Sequence, residues 1–123
     1  MGTIRRFVGT EASRRWEGVG VEPYQTGDAG TGTRQVLIGP DDGAANFALR
    51  YFMLAPGTRS RLDNHAHDHG VFVLHGRGHV RLGDAEHAIG VGDVVYVAPH
   101  ETHVFAASDD AALGFLCVVP ARR

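Results

Sequence analysis

From Arg34 onward the chain alternates short apolar runs with glycine, proline and aspartate. "RQVLIG" gives way to "GPDDG" and "FALRYFML" to "APG"; then follow "GVFVLHG", "GHVRLGD", "EHAIGVGD", "VVYVAP", "HVFAA" and "LGFLCVVP". Segments of about 5 to 8 residues rich in Val, Phe, Leu and Tyr, divided by turn formers, predict antiparallel strands in a sandwich or small barrel. Nothing after Arg34 repeats its apolar positions with a helical period, so the fold class is all-β. Within "HVRLGDAEHAI", Gly83 and Asp84 predict a two-residue hairpin turn, which sets Arg81 across from Glu86 as an exposed charge pair. In "FALRYFML", Phe47, Leu49, Tyr51 and Met53 share one face. That pattern points Tyr51 into the interior and Arg50 outward, unless Arg50 anchors an anionic substrate.

The first third reads differently. Up to Val21 there is no clear period, and "TGDAGTGT" from Thr26 to Thr33 is a turn cluster. The expectation is an arm over residues 1–33 with one short strand near Gly20 to Tyr24, followed by a β-barrel over residues 34–123.

Bulk properties narrow the function classes. A chain of 123 residues fits one domain with one core. Its net charge of −2 gives no broad basic surface for a phosphate backbone or an anionic membrane, so neither is an expected partner. No apolar run of about 18 residues is present, and the basic N-terminus lacks the apolar stretch of a secretory signal, which predicts a cytoplasmic protein. Cys117 is the one cysteine, excluding an internal disulfide and a thiolate metal cage. Any metal site must use nitrogen and oxygen. All 12 basic residues other than histidine are arginines, which excludes lysine Schiff-base chemistry.

All 8 histidines fall between His65 and His103. In "LDNHAHDHGVFVLHGRG", an extended backbone puts Asp63, His65, His67 and His69 on one side, because alternate residues share a face. Alternate Cα atoms about 6 to 7 Å apart let two imidazoles converge on one ion with metal–nitrogen bonds near 2.1 Å. His75, His79, His87 and His100 sit near turns or on outward positions and read as solvated.

A second stretch, "GDVVYVAPHETH" from Gly92 to His103, reads as turn, buried strand, proline-directed loop and histidine. Together the two stretches resemble the paired motifs of the cupin superfamily, and the ending "LGFLCVVP" resembles that of small single-domain bacterial cupins. The resemblance runs roughly from Pro56 to His103. It implies a double-stranded β-helix, a jelly-roll barrel of antiparallel strands with little helix. Pro56 and Gly57 match the family's opening turn, and Gly76 and Gly78 its turn after the strand. His65 matches the second histidine of the H-x-H motif, His69 the third ligand of four-histidine cupins, and His103 the ligand of the second motif. Two positions depart from the pattern. Asp63 stands where the first histidine would be, and Gly70 where many cupins carry a glutamate ligand. The fourth ligand is then Asp63, or His67 if the loop register differs.

The resemblance implies one divalent transition metal per chain, Fe, Mn, Ni or Zn. Three imidazoles and a carboxylate suit Fe(II), Mn(II) or Ni(II) with two open positions, and a tetrahedral zinc with one water is the competing geometry. Expected around the ion are His67, Tyr51, Phe72, Leu74, Phe105, Phe115 and Cys117, the last as a buried apolar filler. The expected function is a mononuclear metal enzyme, dioxygenase-like or an isomerase, acting on a small organic molecule. The alternative is a non-catalytic sensor or binding protein with a structural metal. A homodimer, paired through the arm with Phe7 and Trp16, is the assembly the resemblance implies.

Overall fold

The structure is a computed structural model and describes residues 2–24 and 32–121. Eight strands follow one another: β1 Glu22–Tyr24, β2 Gly32–Ile38, β3 Phe47–Leu54, β4 His69–Leu82, β5 Ala85–Gly90, β6 Val94–Val97, β7 His103–Ala107 and β8 Leu113–Pro120. A single 3-10 turn, Pro40–Asp42, is the one helical element among the described residues. The all-β jelly-roll expectation therefore holds. Most of the expected turn cluster at 26–33 lies outside the described residues; Gly32 and Thr33 begin β2.

Every pairing is antiparallel, in the order β1-β2-β3-β8-β4-β5, with β6 and β7 also paired to β4. β4 is the hinge of this arrangement. Its first half pairs with β6 and β8, its second half with β5 and β7, and the register shifts between Val73 and His75. One strand thereby serves two sheets. The segments "GVFVLHG" and "GHVRLGD", expected as two strands, are one strand bent at its glycines. Gly76 has a φ of 72°, and a Cβ there would strike the Ala112 carbonyl. Gly78 lets β7 approach, since a Cβ would meet Ala106 backbone. The β4–β5 turn lies at Gly83-Asp84 with Arg81 opposite Glu86, as the hairpin reading expects.

Alternation along each strand divides the apolar residues between two clusters. Phe52, Leu54, Val71, Val73, Phe105 and Phe115 belong to the barrel core. Tyr51 lies on the outer face of the sheet with Leu37 and Val19, packed by Trp16, Leu49, Leu74 and Leu116. This corrects the expectation for Tyr51. Its face of β3 is apolar because the N-terminal arm covers it: Trp16 contacts Tyr51 at 5.4 Å and Phe7 at 5.6 Å between ring centroids. The arm is pinned by Gln35, which donates from Nε2 to the Arg14 carbonyl at 2.8 Å.

Candidate metal centre

The three motif histidines come from separate segments. His65 lies on the loop between β3 and β4, His69 opens β4 and His103 opens β7. That loop runs along β7 as an additional partner. Asp63 and His103 exchange backbone hydrogen bonds at 3.1 and 2.9 Å, and Ser60 donates to the Phe105 carbonyl at 2.8 Å. The turn before β7 grips it from the other side, with the His100 amide donating to the His65 carbonyl at 2.6 Å. His100 adopts a φ of 63°, and the Glu101 carboxylate accepts from the Ala98 amide at 3.0 Å. These contacts fix where the imidazoles meet.

Meet they do: the candidate ligand atoms of His65, His69 and His103 all lie within 4.8 Å of one another. His69 and His103 are 8% and 6% exposed, so the cluster sits on the wall of the core, while half-buried His65 and exposed His67 border solvent. Hydrogen bonding orients two of the rings. Nδ1 of His103 lies 2.9 Å from the Glu101 carbonyl oxygen, which can only accept, so Nδ1 carries the proton and Nε2 is the nitrogen left for a ligand. On His69, Nδ1 lies 3.4 Å from Cys117 Sγ, and Nε2 is buried without any partner. A buried, orphaned imidazole nitrogen calls for an electron-pair acceptor, and a metal ion is one. Burial, then His103, His67, His65 and Arg50, holds His69 down to a pKa of about 4. It is neutral and ligand-competent at neutral pH. His67 is lowered as well, by burial first and then by His65. The donor set therefore fits a divalent transition metal.

The other expected site residues divide clearly. Asp63 is outside the ligand cluster, but its Oδ2 stands 3.8 Å from His65 Nε2. His67 stacks on His65 at 5.0 Å between centroids and is likewise outside the cluster. Phe105 and Phe115 stack at 4.7 Å in the core, Phe105 contacts His103 at 6.5 Å, and Cys117 is buried against His69. Phe72 and Leu74 are not pocket walls. His69, Val71 and Val73 take the inward positions of β4, which leaves Phe72 exposed and puts Leu74 in the outer cluster.

One contributor escaped the sequence reading, and a second, Arg50, was expected to point outward unless it anchored an anionic substrate. Glu101 orients His103 through its backbone, which no side-chain motif can announce. Arg50 faces Cys117 across the β3–β8 register and lies against Phe52, so it points inward. The signal lay in the arm: Phe7 and Trp16 need an apolar surface to rest on, and the Tyr51 face of β3 is that surface.

The sequence matches the family model described as a cupin domain over residues 50–119, and the chain belongs to the cupin family. It is 41% identical over 122 residues to the 1-methylthio-D-xylulose 5-phosphate methylsulfurylase of Rhodospirillum rubrum, covering 97% of this chain and 77% of that one. A cupin 2 conserved barrel domain protein from Rhodopseudomonas palustris superposes with a TM-score of 0.84 at 37% identity, covering 98% of this chain and 82% of the other. The polyketide cyclase RemF of Streptomyces resistomycificus aligns with a TM-score of 0.77 at 28% identity, over 86% of this chain and 76% of its own.

Proposed function

We propose that this chain is a cytoplasmic, metal-dependent enzyme acting on a small organic molecule with oxygen donors. Its substrate is of the kind named for the Rhodospirillum rubrum relative, a phosphorylated ketose carrying a methylthio group. The observation that carries the reading is the convergence of three imidazoles whose ligand atoms lie within 4.8 Å, one of them with a buried, unpartnered Nε2. A bound divalent ion, Fe, Mn, Ni or Zn, would supply Lewis acidity toward a substrate carbonyl or hydroxyl. The chain's own residues hold the site in shape and keep it dry on one side. Phe105, Phe115 and Cys117 exclude water from below, His67 borders the open side, and the Asp63 carboxylate serves as fourth ligand or as proton acceptor beside His65.

Oxygenase chemistry is the second reading. It needs the Asp63 carboxylate, 3.8 Å from His65 Nε2, as a fourth ligand, because three imidazoles and one carboxylate leave two positions of a six-coordinate ion for substrate and O₂. A second copy of this chain is the expected partner. The outer sheet face supports that expectation, since Phe47, Phe72, Val94, Tyr96 and Val118 are all exposed there.

Metal content decides the foundation. Untagged protein should carry about one equivalent of transition metal, and a His65→Ala/His103→Ala double variant should carry less than about a tenth of it; unchanged content would refute the site. Release of the methylthio group from a methylthio ketose phosphate supports the first activity, and stoichiometric O₂ uptake the second. A metal-loaded protein that binds such ligands without turnover is a sensor.

A further inference from the structure

Arg50 is a cation on the inner wall of the barrel with almost nothing to hold it. It lies opposite Cys117 in the β3–β8 register, and its guanidinium carbon sits 5.0 Å from the centroid of the Phe52 ring, itself part of the core. Its one side-chain hydrogen bond runs from Nη2 to Cys117 Sγ at 3.5 Å, long and to a weak acceptor. Nε is buried and has no partner. Unlike Arg5, Arg34, His65 and Arg77, it is in no ion pair among the described residues. A guanidinium removed from water usually has a carboxylate to compensate the lost hydration, often in a two-bond fork. Arg50 is half-buried, and among the described residues no carboxylate pairs with it.

The neighbourhood sharpens the imbalance. Cys117 touches both Arg50 Nη2 and His69 Nδ1, so the guanidinium stands one side chain away from the histidine cluster. A divalent ion would add two positive charges, against a single nearby carboxylate at Asp63. The aromatic face of Phe52 keeps the guanidinium plane in place but cannot neutralise it.

We propose that Arg50 is the anion-holding arm of this site, so that its ligands carry an oxyanion, phosphate or carboxylate, which docks on the free guanidinium edge while the ligand's other oxygens face His65, His69 and His103. Neutral polyols and ketones lack the group that completes the charge balance. The inference rests on the proposed metal site for the second half of the ligand, but the Arg50 half stands without it. It assigns specificity to a residue with no histidine-like signature, and it excludes substrates that are uncharged throughout.

Three ligands with one hydroxymethyl ketone in common provide the test: dihydroxyacetone, dihydroxyacetone phosphate and hydroxypyruvate. Calorimetric titration of metal-loaded protein should show at least one of the two anions binding about tenfold or more tighter than the neutral ketone. Whichever anion it is identifies the group as phosphate or carboxylate. In Arg50→Gln that preference should fall to within about threefold at unchanged metal content, and Arg50→Lys should recover part of it. Equal preference in wild type and Arg50→Gln, or none in the metal-loaded wild type, overturns the proposal. Should the variants fold poorly, phenylglyoxal labelling of the wild type provides the readout. The preferred anion should shield the Arg50 peptide while dihydroxyacetone does not, and equal labelling with and without the anion also overturns it. Repeating both measurements on metal-free protein separates the two readings: an Arg50-dependent anion preference in a chain that takes up no metal upholds this inference and rejects the metal centre.

Discussion

At the scale of single residues, Cys117 has a role its burial alone would not suggest. If His69 offers Nε2 to an ion, its Nδ1 carries the proton and donates to Cys117 Sγ, 3.4 Å away. Sulfur takes the place usually held by a carboxylate or a carbonyl. Cys117→Ala should therefore weaken metal affinity about 10- to 100-fold with the fold intact, as measured by competition against a chelator with circular dichroism as control. Cys117→Ser, which keeps an acceptor, should lose less. His69 also sets a pH dependence of stability. Its folded pKa, about 4, lies below the ordinary 6.5, so between those values the unfolded chain binds more protons than the native one. The contribution of the neutral ring is complete above the upper value and is lost as pH falls toward the lower. In metal-free protein the loss should reach at most about 3 kcal/mol, seen in denaturant titrations, and His69→Asn should flatten the slope. At this scale the sequence was half legible. His65, His69 and His103 could be read from two motifs because their spacing follows strand periodicity. Arg50 and Tyr51 were exchanged because both faces of β3 are apolar, and alternation cannot say which face meets the core and which meets the arm.

At the scale of elements, the bend in β4 decides whether the two halves of the barrel close on one another. Gly76→Ala puts a Cβ into a left-handed backbone at φ 72° and against the Ala112 carbonyl. The expected destabilisation is about 2 kcal/mol or more, with a lower midpoint and an unchanged m-value in urea. Gly83→Ala, at φ 59° but with open space around its Cβ, should cost less, since only the backbone preference is violated. Strand positions were readable from their apolar runs, and the Gly83-Asp84 turn from its chemistry. The continuity of β4 was not. Gly76 and Gly78 carry the same signal whether a chain turns back or a strand folds over, and only packing against the β7–β8 connection distinguishes the cases.

At the scale of the whole molecule, the outer sheet face is apolar over more area than the arm covers. Trp16 and Val19 shield Tyr51, Leu74 and Leu116, while Phe72, Tyr96 and Val118 continue the same surface at 42%, 60% and 42% exposure. If a second copy occupies that strip, Phe72→Glu/Tyr96→Glu should shift the mass measured by light scattering from dimer to monomer and leave metal content unchanged; a monomeric wild type would remove the expectation. No helix among the described residues is long and apolar enough to cross a membrane. The barrel itself could be inferred from sequence because its apolar runs are short and divided by turn formers. What covers its outside could not, because an exposed apolar residue and one awaiting a neighbour look alike along a chain.

The backbone bonds that tie Asp63 to His103 and His100 to His65 make the loop carrying one ligand a detachable clasp on the strand carrying another. Occupancy by an ion would fasten that clasp without touching the β3–β8 pairing behind it. Amide hydrogen exchange should then slow at Asp63, His100 and His103 when metal is added and stay the same at Phe52 and Phe115, so the rim stiffens on loading while the wall was rigid from the start.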